Sequence, residues 1–119
     1  YRSGIFMALK TTISNIVGVK VKGIYNDEFG VEKDIDFLLT CKRLTGDEAD
    51  EFLSGDYSAP SILRFMLSVA TGWSSVKDDD NNIVPFSQDE FEKRCNKIHG
   101  LLFVSYKCYR EQSGVRSKN

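Results

Sequence analysis

The chain is poor in the residues on which small catalytic or secreted domains depend. Its 119 residues include one histidine, His99. Nucleophilic catalysis needs a base beside the nucleophile and a third group to orient that base. Cys95, four residues earlier, shares a helical face with His99, but nothing else in the chain supplies an orienting residue or an oxyanion site. A histidine beside Gly100 is better explained as the end of a helix, where its charge complements the dipole. The cysteines are three, Cys41, Cys95 and Cys108. An odd number without a CxxC spacing argues against a paired disulfide framework and a clustered zinc site. They are expected to act as small buried or half-buried hydrophobes.

Other absences narrow the function further. No apolar run reaches the roughly 18 residues that a membrane-spanning helix needs. The formal net charge is -1, from 16 basic and 17 acidic side chains, whereas nucleic acid and anionic membranes both call for a positive surface. No Walker, dinucleotide-binding, zincin or nucleophile-elbow pattern occurs. Asp78, Asp80 and Asn82 imitate the first ligands of a calcium loop, but Ile83 stands where that loop needs glycine and Asp89 where it needs glutamate. A solvated turn between two short extended segments is the expectation there. Carboxylate pairs such as Asp47/Glu51 and Asp89/Glu92 lie at helix starts, where the dipole accounts for them. No catalytic residue, cofactor site or metal site is expected.

What is present suits one α+β domain over residues 7–119, with 41% apolar and 12% aromatic residues to form a core. Residues 1–6 precede a natural start at Met7-Ala8-Leu9-Lys10 and read as an added or upstream extension. Val17, Val19 and Val21 alternate with Gly18, Lys20 and Lys22. After a turn-rich stretch, Ile35, Phe37, Leu39 and Cys41 alternate with Asp34, Asp36, Leu38 and Thr40. Period-two patterning of this kind predicts a β-hairpin over residues 16–43, with Lys20 and Lys22 facing Asp34 and Asp36.

Four helices are expected after it. Thr45 with Glu48 makes a capping box for a helix over 46–54, whose apolar side is Phe52 and Leu53 and whose stop is Gly55. A second, over 59–72, starts at Pro60 and carries Ile62, Leu63, Met66, Leu67, Val69 and Ala70, with Arg64, Ser68 and Thr71 as polar interruptions. Gly72 and Trp73 are expected to end it. Ser87 with Glu90 makes a second capping box, stapled by Phe86 and Phe91, for a helix over 88–98. His99-Gly100 breaks the chain before a last helix over 101–112.

Over residues 66–119 the order of features is informative. A helix leads to Gly72-Trp73-Ser74-Ser75-Val76, followed by the acidic turn Asp78-Asp79-Asp80-Asn81-Asn82. Then come Ile83-Val84-Pro85-Phe86-Ser87, an acidic helix, a second helix containing Ser105-Tyr106, and a closing Lys118-Asn119. This order resembles the C-terminal region of phage tail assembly chaperones. Asn81-Asn82 stands where that family usually has a glycine, which asparagine replaces because it tolerates positive φ. Cys95, Lys97 and Ile98 stand where the family often has helical leucines and a proline.

The resemblance implies a non-catalytic, cytoplasmic protein that binds the tape measure protein during tail morphogenesis, with the tail tube protein as a further partner. It also implies a homo-oligomer without nucleic-acid or membrane ligands. Trp73, Phe86 and Phe103 are the aromatic residues expected to contact partners, with a place in the core as the competing explanation for the first two. The long hairpin supports an alternative, a structural tail or head-tail connector subunit that self-assembles.

Overall fold

The computed structural model of the chain describes residues 13–53 and 58–117. Alternating apolar residues produce the predicted hairpin: β1 spans Ile16–Asn26 and β2 spans Glu32–Lys42. They pair antiparallel along their whole length, Ile16 opposite Lys42 and Asn26 opposite Glu32. Val17, Val19, Val21, Leu39 and Cys41 point to one face and are buried. Lys22 lies opposite Asp36 as expected, whereas Lys20 lies opposite Leu38 and Asp34 opposite Ile24.

Four helices follow: α1 (Gly46–Leu53), α2 (Ala59–Val69), α3 (Gln88–Lys97) and α4 (Leu101–Gln112). Both predicted helix starts form. Thr45 N–H donates to Glu48 Oε1 at 2.9 Å, and Glu48 N–H donates to Thr45 Oγ1 at 3.3 Å. At α3, Glu90 N–H donates to Ser87 Oγ at 3.0 Å. The return half of that box is absent among the described residues, since the Glu90 carboxylate faces Arg94 at 3.6 Å and Lys93 at 3.9 Å. Gly100, at φ 89, provides the left-handed residue that turns α3 into α4. Gly55, the Leu53 side chain, residues 1–12 and Lys118-Asn119 lie outside the described residues.

One element departs from expectation. The second helix stops at Val69, not residue 72, and Ala70–Ser74 form a third strand, β3. The sheet order is β1-β2-β3, with Leu39 opposite Trp73 and Thr40 opposite Gly72. Thr71 is therefore a strand residue, and its Oγ1 donates to Thr40 O at 3.2 Å. The physical reason is the open edge of β2: its backbone groups at 38–41 need partners, and Ala70–Ser74 supplies them.

The core lies between one sheet face and the helices. Ile62, Met66 and Val69 of α2, Phe91 of α3, and Leu102, Tyr106, Cys108 and Tyr109 of α4 close over the buried strand residues. Beyond the stretch that pairs with β3, the hairpin continues as an arm. Ile24, Tyr25, Phe29 and Val31 are all at least half exposed on it, and the molecule measures 51 × 39 × 28 Å.

Two turns, at Asp27–Val31 and Asp78–Asn82, share one design. Asp27 accepts at Oδ1 from Phe29 N–H (2.8 Å) and Val31 N–H (2.9 Å), and its own N–H donates to Val31 O (2.9 Å). Asp78 accepts at Oδ1 from Asp80 N–H and Asn82 N–H (both 2.9 Å), and its N–H donates to Asn82 O (2.9 Å). The fourth residue is left-handed in each, Gly30 at φ 77 and Asn81 at φ 64. The calcium-like run is thus an aspartate-anchored turn between short extended segments, bridged at Lys77 and Ile83.

Candidate apolar cleft and hairpin arm

The three aromatic residues singled out by sequence separate into two places. Trp73, on β3, is half-buried, and its Nε1 donates to Val84 O at 2.8 Å. Phe86 meets it edge to face, with ring centroids 5.1 Å apart, and Phe91 lies 6.4 Å away. The Phe86–Phe91 staple therefore runs through the Trp73 ring. This cluster fastens the turn at 75–85 to the sheet. Phe103 belongs elsewhere, on the outer side of α4, and is 48% exposed.

Trp73 also lines a cleft that sequence reasoning did not find. The arm's inner face, Tyr25, Ile35 and Phe37, forms one wall. Ile98 and Leu101, at the α3–α4 junction, form the other, over a floor of Trp73 and Phe91, and the cleft encloses about 560 Å³. Tyr25 is 50% exposed and Ile98 38%, so apolar surface continuous with the core opens to solvent. Asp34, Asp36, Lys77 and Arg94 supply the charges around it. Arg94 Nε is buried and, among the described residues, without a hydrogen-bond partner. The signal in the sequence was Tyr25 and Ile35, which continue the inward-facing alternation past the length that the helices cover.

The groups with catalytic potential are poorly placed for it. His99 is exposed. Burial, with repulsion from Glu92 adding to it, pushes the Cys95 thiol up to about 12 from its ordinary 9.0. A thiol so raised stays protonated at neutral pH, whereas the nucleophile is the thiolate. Burial likewise pushes Cys41 up to about 12. All three cysteines are free, Cys41 and Cys108 buried and Cys95 half-buried, as small hydrophobes should be. Burial also raises the Tyr109 phenol to about 12, and that phenol donates to Lys42 O at 2.8 Å, tying α4 to the end of β2. Among the described residues no group of three or more His, Cys, Asp or Glu is arranged to hold a metal ion, and no helix is long and apolar enough to cross a membrane.

No family model, no curated protein and no solved structure matches the chain. The functional reading therefore rests on the cleft, the arm and the sequence features themselves.

Proposed function

We propose that the chain is a non-catalytic assembly adaptor of the phage tail assembly chaperone type. It binds the tape measure protein in the host cytoplasm and keeps that long, aggregation-prone client soluble. The observation that carries this reading is the open apolar cleft between Tyr25, Ile35 and Phe37 on one side and Ile98 and Leu101 on the other. An amphipathic helix that lays its apolar face into such a groove is a recurrent mode of recognition. The turn role of Asp78 gives a structural account of a residue that would otherwise point to metal binding. Co-expression with a phage tape measure protein from the same genome tests the proposal. A soluble complex is the expected result; an insoluble client with no complex would overturn it.

A specific feature favours a second reading, a structural tail or head-tail connector subunit. The arm, the outer part of the hairpin beyond β3, carries the exposed apolar residues Ile24, Tyr25, Phe29 and Val31, as an element that links neighbouring subunits would. Co-expression separates the two: a tape measure protein held soluble indicates an adaptor, and a client left insoluble by a chain that itself assembles into tubes indicates a subunit.

A further inference from the structure

The near-zero net charge of the chain hides an uneven distribution. At the arm tip, Phe29 is 83% and Val31 52% exposed. They are not loosely held, because the carboxylate of Asp27 fixes both of their backbone N–H groups. Side chains displayed on a fixed turn lose little freedom on binding. Glu28 and Glu32 flank them, with Lys33 as the nearest cation.

A groove of about 610 Å³ with the opposite character lies between β1 and α4. Val104 and Cys108 form its apolar floor, and Lys20, Lys22, Lys107 and Arg116 surround it. The opposing acids are few. Glu111 pairs with Lys107 at 3.9 Å, and Asp36 lies across the ladder from Lys22. Among the described residues Lys20 and Lys22 enter no ion pair. Gln112 occupies the backbone N–H and C=O of Lys20, so the groove is closed to an added strand at that point and open to an inserted tip.

We infer that copies of this chain join head to tail, the acidic, apolar tip of one arm seating in the basic groove between β1 and α4 of the next. Phe29 and Val31 cover Val104 and Cys108, while Glu28 and Glu32 meet the lysines and Arg116. Tip and groove are different surfaces, so the contact is heterologous and propagates into a ring or a filament. It leaves the apolar cleft free, and it stands whether or not the client is a tape measure protein.

Sedimentation velocity of the full chain tests this. At low ionic strength the wild type forms multimers that grow with concentration and disperse at about 1 M salt, where screening acts within about 3 Å. Glu28→Lys with Glu32→Lys, and separately Lys20→Glu with Lys22→Glu, each give monomers with an unchanged circular dichroism spectrum. Mixing the two reversed variants restores multimers, since each then offers the other a complementary pair. Phe29→Ser, which leaves the charges in place, also weakens assembly. A wild type that stays monomeric at low salt would overturn the inference, as would an oligomer that neither reversal affects. So would a monomer whose groove captures a short oligonucleotide instead.

Discussion

The side-chain amide of Gln112 closes on the backbone of Lys20 as a neighbouring strand would. Its Oε1 accepts from Lys20 N–H and its Nε2 donates to Lys20 C=O, both at 2.8 Å, across 92 residues of sequence. β1 is an edge strand, and free edges invite pairing with other chains. Gln112→Ala is expected to cost about 1 kcal/mol in urea unfolding and to raise aggregation on heating. Gln112→Glu keeps the acceptor but sets a carboxylate oxygen against the Lys20 carbonyl, so it should cost at least as much as alanine.

The left-handed residues of the two turns give a paired test. A side chain with a Cβ is strained there by about 1 kcal/mol, while glycine is not and asparagine is tolerated. Asn81→Ala should therefore lower stability by about 1 kcal/mol, and Asn81→Gly should stay within about 0.5 kcal/mol of wild type. Gly30→Ala should behave like Asn81→Ala, since at Gly30 a Cβ would meet nothing within 4 Å and only the backbone is penalised. Equal melting temperatures for Asn81→Ala and Asn81→Gly would contradict the shared turn design.

Stability should fall at alkaline pH. Burial raises Cys41 and Cys95 from 9.0 to about 12 and Tyr109 from 10.0 to about 12. Below pH 9 both folded and unfolded chains hold these protons, and the contribution is intact. Between about pH 9 and 12 the unfolded chain releases them while the folded chain does not, so unfolding is favoured. The urea midpoint should be flat near neutrality and drop through that window, and Cys41→Ala should shallow the drop. At pH 8 iodoacetamide should label Cys41 and Cys95 slowly in the native protein and readily after denaturation.

Trp73 is the single tryptophan, which makes its role measurable. Trp73→Phe keeps an aromatic ring against Phe86 and removes the bond to Val84 O. Loss of that bond should lower stability by about 1 kcal/mol. Since Phe86 packs on Trp73 rather than facing solvent alone, Phe86→Ala should destabilise the fold more than it weakens client binding. A Phe86→Ala protein with native stability and no client binding would reverse that order.

Much of this fold was legible because it is locally signalled. The hairpin follows from alternation within each strand, and the helix starts follow from Thr45/Glu48 and Ser87. The last helix, predicted over 101–112, forms at Leu101–Gln112. β3 was not legible. Val69 continues the stripe of Ile62 and Met66, and no breaking residue separates it from Ala70. What ends the helix there is pairing with Thr40 and Cys41, some 30 residues away in sequence, which local patterning does not encode. The cleft was hidden for a similar reason. Its two walls come from the arm and from the α3–α4 junction, and only the folded chain brings Tyr25 and Ile98 to one opening.

The most direct test of the adaptor reading compares cleft variants with wild type in co-expression with the tape measure protein. Tyr25→Ser and Ile98→Asp each place a polar group on exposed apolar surface, so their own melting temperatures should stay close to wild type. Both should leave the client insoluble where wild type keeps it soluble. A fully soluble client with either variant would contradict the claim that this cleft binds it.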